Sequence, residues 1–309
     1  MSGIITTSSF AKSLWPGVNT WYGQAYAEYP VEWDKLFEKN TSRRAFEEDV
    51  GTSGLGLAVV KDQAGAITYD SMRQGFTSRY NHVTYGLGFI VTREAFDDDL
   101  YDVVAKKKAQ SLAFSMRQTK EIVGANVYNR AFNTSYLGGD GATLVACAAG
   151  GSASAPNVSG GTYTNGPSAA VDLSEAALEQ ACIDIAGFTT DRGLKIAVRP
   201  RKLIIPKELM FEADRILKTE GRTGTDLNDL NALKARGLIP EVVVNHYLTD
   251  TDAWFILTDV RDGLKYFERR DDEFTMDEDF DTENAKYKAT ARYSFGWTDR
   301  RGIYASPGV

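Results

Sequence analysis

The sequence predicts an α+β fold: one very long helix, a hairpin attached to it, and strand runs separated by shorter helices. Three observations predict it. Phe96, Leu100, Val103, Val104, Leu112, Met116, Val123 and Val127 recur at helical spacing after Thr92. Residues 51–91, from "GTSGLGLAVV" to "VTYGLGFIV", alternate apolar and polar positions on both sides of a turn-prone centre. In the second half "EVVVNHYL" and "DAWFILTDV" read as separate strands, followed by two more around an acidic tip.

The 309 residues are enough for one large or two modest domains, with 43% hydrophobic and 25% charged positions. A net charge of −7 argues against a protein that coats nucleic acid. Cys147 and Cys182 stand among small apolar residues without CxxC spacing, so both are expected to be buried free thiols. "MSGIITTSSFAKSLW" lacks the pattern of a signal peptide, and no apolar run approaches a membrane span. The expectation is a chain that stays in the cytosol where it is made.

Taken in order, residues 1–50 carry Trp15, Trp21, Tyr22, Tyr26, Tyr29 and Trp33 between Pro and Gly breaks. Such rings have little of their own to bury against and are enriched where chains meet, which predicts an extended arm on a neighbour. The exposed middle of the hairpin carries Lys61, Asp62, Asp70, Arg73 and Arg79. A hairpin of this length is marginal alone in water and needs another surface.

Thr92 caps the long helix, with Glu94 and Asp97 to Asp99 in its first turns and lysines at 106–108. At ~40 residues it spans ~60 Å and must lie along an extended, flat domain. Residues 138–170 are Gly/Ser/Ala-rich and loop-like. Asp172 and Glu175 suit a capping box for the next helix, and Gly187 its stop. "LKIAVRPRKLIIPKELMFEADRILKT" reads as two strands and then a helix with Pro206 in its first turn.

Two local patterns imitate ligand sites. "DEDFDTENAKYK", from Asp277, begins like an EF-hand loop, but its sixth residue is Thr282 and its twelfth is Lys288. A hand needs Gly and a bidentate Glu there, so the stretch is read as an acidic hairpin tip. "GTYTNGPS" has the outline of a phosphate loop, yet Pro167 occupies the lysine position. His82 and His246 lie outside any nucleophile or zinc motif, and no catalytic residue, metal or cofactor is expected.

The order of elements resembles the major capsid protein of tailed bacteriophages, the Hong Kong 97 type. Three stretches carry it: "RPRKLIIPKELMFEADRIL", "DAWFILTD" and "FDTENAKYKATARYSFGWTDRRGIYAS". The resemblance implies an N-arm at 1–50, an E-loop at 51–91 and a P-domain spine helix at 92–137. It implies an A-domain at 138–253, P-domain strands at 254–295, and a return to the A-domain at 296–309. Copies would form hexamers and pentamers of an icosahedral virion shell, assembled in the bacterial host cytoplasm around double-stranded DNA bound without sequence specificity.

The implied partners are further copies, a separate scaffold protein, a portal and a decoration protein, with no membrane. Inter-subunit contact candidates are Trp15, Trp21, Tyr22 and Trp33 of the arm; Lys61, Arg73 and Arg79 of the hairpin; and Asp277, Asp279 and Asp281 of the tip. Arg269, Arg270, Arg300 and Arg301 are candidate partners for the tip on an adjacent subunit. The alternative with the same fold is an encapsulin-like shell that stores cargo enzymes. Its relatives replace the long arm with a short helix, so an extended "WPGVNTWYGQAYAEYP" favours the capsid. An enzyme and a simple binding module are the rivals from other classes.

Overall fold

The computed structural model describes residues 8–92, 94, 101–150, 154–159, 161–221, 230–278 and 284–309. The chain begins with helix α1 (Ser8–Glu28), strands β1 (Glu38–Thr41) and β2 (Phe46–Thr52), then β3 (Gln74–Asn81) and β4 (Val83–Val91). Helix α2 (Tyr101–Asn129), a short pair β5 (Ala155–Pro156) and β6 (Thr162–Tyr163), and helix α3 (Glu175–Ala186) follow. Next come β7 (Pro200–Pro206), α4 (Met210–Lys218), α5 (Ala232–Arg236), β8 (Glu241–Asn245) and β9 (Trp254–Thr258). Strands β10 (Leu264–Glu278), β11 (Ala285–Trp297) and β12 (Ile303–Ser306) close the chain.

Two four-stranded sheets carry the architecture. The first has the order β1-β10-β11-β4, with β1 parallel to β10 and the remaining pairs antiparallel. Alternation along β11 buries Tyr287, Ala289, Ala291 and Tyr293 on the face that α2 covers. The second sheet, β12-β9-β7-β8, lies between two cores. Ile204, Phe255, Ile303 and Ala305 join the core of the first sheet, while Leu203, Ile205, Trp254 and Ile256 meet α3, α4 and α5.

The arm is where structure and expectation part. Residues 8–28 form a helix through Pro16 and Gly17, and it docks along the subunit's own α2. Proline removes one backbone donor from a helix, but the buried stripe Val18, Tyr22 and Ala25 has helical spacing. That stripe faces Ala105, Ala109, Leu112 and Ala113, a run of small residues that lets the helices approach closely. After α1, the carboxylate of Glu121 accepts hydrogen bonds from the backbone N–H groups of Glu32 (3.1 Å) and Trp33 (2.9 Å). The phenol of Tyr128 donates to the Leu36 carbonyl at 3.0 Å. Residues 29–37 are thus tied to the subunit itself.

Other boundaries shift for local reasons. The long helix is described over 29 residues, Tyr101–Asn129, which is ~44 Å; Arg93 and residues 95–100 lie outside the described residues. Ser174, rather than Asp172, caps α3 by accepting from the Ala177 N–H at 3.2 Å. Pro206 ends β7, and a single 3-10 turn precedes α4. The hairpin ribbon starts at Phe46 rather than Gly51, and residues 83–91 leave it to become the edge strand beside β11.

Docking of α1 includes one half-buried carboxylate. Tyr22 stacks on Phe274 (centroids 4.6 Å apart) and donates its hydroxyl proton to Asp272. Burial raises the Asp272 pKa; Asp271 adds to this, while the Tyr22 hydrogen bond and Lys120 work against it. The folded state therefore holds a proton on the Asp272 carboxyl more tightly than the unfolded chain does. Stability is lowered as pH rises from the ordinary carboxylate range through the raised folded value. Asp272→Asn keeps an acceptor for Tyr22 and removes the titration. The variant is expected to exceed the native chain in denaturant stability at pH 7.5, with the gap narrowing toward pH 4.

Candidate inter-subunit surfaces

The feature with most apolar exposure among the described residues is built from the ribbon upward. Strands β2 and β3 pair antiparallel from Phe46↔Asn81 to Thr52↔Gln74. Their root is fixed by Asp49, whose Oδ2 accepts from Lys265 Nζ at 2.6 Å and from the Thr298 hydroxyl at 2.9 Å. Lys265 also meets Asp262 at 2.6 Å; burial works against its charge, yet these carboxylates hold its pKa above the ordinary lysine value. Buried His82 bridges the hydroxyls of Ser42 and Ser294, each at 3.0 Å. Gly139 crosses the ribbon so closely that a Cβ would sit 2.0 Å from the Thr77 carbonyl oxygen, so only glycine fits.

Beyond this root, residues 53–73 carry no strand and project as a finger. Its tip turns at Asp62–Gly65, with Ala64 at φ 63°. Leu57 is 81% exposed, Val60 91% and Tyr69 92%, with Leu55, Val59, Ile67 and Met72 exposed beside them. Scattered single apolar residues on a surface are ordinary; a contiguous set on one projecting loop marks an interaction site.

The residues singled out in the sequence divide into three groups. Trp33 and Tyr22 are buried in the subunit's own core, and Trp21 lies half-buried with the Lys106 ammonium 5.8 Å from its ring; Trp15 belongs to α1, and its side chain lies outside the described residues. Tyr22 and Trp33 are therefore not free to cover a neighbour. Arg300 is buried and ion-paired with Asp140, and Arg301 pairs with Asp191 and Asp299, so neither is available to an adjacent acidic tip. For Arg300 the reason is topological: the Gly-rich loop brings Asp140 to the turn before β12 across a long stretch of sequence.

Lys61 and Arg73 are exposed on the finger, and Arg79 lies over the Phe46 ring at 3.9 Å within the ribbon. Arg270 reaches Thr290 within its own hairpin (3.2 Å), and Arg269 donates to the Arg44 carbonyl (3.1 Å). Asp277 is exposed near the end of β10; Asp279 and Asp281 lie outside the described residues. The flanks of this tip are strands, not the helices of a calcium hand.

Other chemistry-bearing residues serve the core. Burial pushes the thiol of Cys182 up to about 11 and that of Cys147 upward as well. Among the described residues no three His, Cys, Asp or Glu side chains are placed to share a metal ion. No helix among them is long and apolar enough to cross a membrane.

The loop that imitates a phosphate cradle is a knot instead. Asn165, fully buried, accepts from the Ala146 N–H at 2.7 Å and donates to the carbonyls of Leu144, Arg300 and Ile303 at 3.0–3.1 Å. Asn165→Ala strands these groups in the core and is expected to lower stability by ~3 kcal/mol, readable by denaturant unfolding of the unassembled chain. The sequence held no signal for this role beyond a polar residue in a small-residue loop.

Comparison with known proteins bears on this architecture. A family model described as phage capsid protein matches residues 75–306. No curated protein matches the chain. Among solved structures, the virus-like particle from Pyrococcus furiosus is similar at a TM-score of 0.52 and 10% identity, covering 94% of this chain and 98% of that one. The capsid of a native GTA particle gives 0.50 at 13% identity, covering 89% and 88%. Microbacterium phage Oxtober96 gives 0.50 at 10% identity, covering 90% and 92%. At these identities the similarity is one of fold.

Proposed function

The chain belongs to the phage capsid protein family and has the Hong Kong 97-type fold, and from that premise we propose that it is the major capsid subunit of a tailed phage. Copies close into an icosahedral shell of hexamers and pentamers around packaged double-stranded DNA. The observation that carries this reading is the finger: its apolar side chains face outward from a rigid root and need a second copy to cover them. In this reading residues 46–81 supply the E-loop, α2 with the first sheet the P-domain, and the second sheet with α3 to α5 the A-domain. The N-arm then acts as a docked helix rather than as a loose strap. A scaffold, a portal and a decoration protein complete the assembly in the host cytoplasm. The net charge of −7 fits a wall that does not trap DNA.

A second reading, an encapsulin-like shell, draws support from α1. The helix removes the extended arm on which the sequence comparison favoured a capsid, and the Pyrococcus furiosus particle is similar over nearly the full length. Particles recovered from the native host separate the two. Nuclease-protected double-stranded DNA together with a portal protein supports the capsid. A folded enzyme enclosed without DNA supports the storage shell.

A further inference from the structure

The finger is tied at its neck, and the tie reaches a different part of the subunit. Ser53, fully buried, donates its N–H to the Arg73 carbonyl and accepts the Arg73 N–H at its hydroxyl, both at 2.9 Å. One level further out, Asp70 Oδ2 accepts from the Gly56 N–H at 2.8 Å and from Arg192 Nη1 at 2.7 Å. Its Oδ1 accepts from the Ser71 N–H at 2.8 Å. The second guanidinium nitrogen, Arg192 Nη2, donates to the Ser71 carbonyl at 2.6 Å, so one fork spans carboxylate and backbone.

Arg192 is itself well held. It sits on a tight turn where Thr190 N–H bonds the Leu194 carbonyl at 2.7 Å and Gly193 adopts φ 80°. That turn grows from the second core through buried Phe188. The neck leaves little space: a Cβ on Gly56 would lie 3.3 Å from Asp70 Oδ2 and 3.5 Å from Arg192 Nη1.

We infer that Arg192 and Asp70 are positioning residues for docking between copies: they aim the apolar lobe, residues 57–69, before it meets a second copy of this chain. The inference rests on the shell reading and deepens it, since it assigns the direction of the finger to a pair of residues 122 apart in sequence. The Gly56 N–H, the Arg192 guanidinium and the Ser71 N–H hold the Asp70 pKa below its ordinary value, as donors around a charged carboxylate do. A lobe fixed beforehand loses less conformational freedom on docking, which favours association without adding any contact.

The test uses the full chain. In the unassembled subunit, Arg192→Ala is expected to speed hydrogen exchange at the Gly56 and Ser71 amides about tenfold, with the global unfolding midpoint nearly unchanged. The concentration at which shells form is expected to rise about tenfold, and Arg192→Lys, which keeps the charge but not the fork, to fall between. Unchanged exchange at the two amides overturns the clamp. Faster exchange with the same assembly threshold and shell size overturns its role in docking. Failure of the native chain to form rings or shells, alone or with the scaffold protein of its own phage, refutes the shell reading instead, while the exchange comparison still decides whether the clamp exists.

Discussion

Replacing Trp33 with alanine is expected to lower the folding stability of the unassembled subunit by about 3–5 kcal/mol. The indole is buried, with Tyr266 4.4 Å away and Phe295 5.7 Å away between ring centroids. The Lys120 ammonium lies 4.6 Å from the same ring and makes an ion pair with Glu268 at 3.7 Å. Burial pulls the Lys120 pKa down, so its charge depends on those rings and that carboxylate. Removing the indole opens a cavity and takes away one aromatic face from a buried cation, and both effects act in the same direction. Denaturant unfolding of the monomer reads the loss. Had the tryptophan covered a neighbour, as the arm's composition led one to expect, the variant would unfold like the native chain and fail only in assembly.

Replacing residues 57–69 with a short Gly-Ser linker is expected to have the opposite profile. The subunit keeps its unfolding midpoint, because the ribbon root at Asp49, Lys265 and Thr298 and the Ser53–Arg73 closure lie outside the deletion. Shell formation is lost. Leu57, Val59, Val60, Ile67 and Tyr69 leave with the lobe. At ~1.5–3 kcal/mol for each side chain fully covered, the gross docking energy removed is on the order of 10 kcal/mol per copy, before the entropic cost of association. Normal shells from this variant, seen by electron microscopy, would remove the lobe from the account.

Much of this fold was legible because its signals are local. The strand of "RKLII" ending at Pro206, the strands "EVVV" and "WFILT", and the helical periodicity from Val103 to Val127 each depend on neighbours in sequence. The hairpin over 51–91 was legible only in part: "GLGLAVV" has nothing nearby to bury it and stays exposed, but it forms no strand, and residues 83–91 pair with β11 instead. The helix over Ser8–Glu28 was missed because Pro16, Gly17 and Gly23 outweighed the spacing of Val18, Tyr22 and Ala25. Only docking on α2 makes that spacing decisive, so local propensity gave way to tertiary contact.

Long-range pairs were not legible at all. Asp140 with Arg300, Asp49 with Lys265, and Asp70 with Arg192 join residues 160, 216 and 122 positions apart. Composition shows each charge and says nothing about which carboxylate will stand beside which cation. Two of the arginines assigned to a neighbour were therefore partnered within the subunit, and the acid that aims the finger was visible only as one charge among several in an exposed loop.

This chain holds its finger in place by its own contacts but leaves the apolar side chains of the lobe for another copy to cover. Light scattering on the purified full-length protein, with electron microscopy of the same sample, tests it most directly. Rings of five or six subunits or closed shells, formed as concentration rises, are the predicted result. A monomer that persists at high concentration, with its finger folded against its own body, contradicts it.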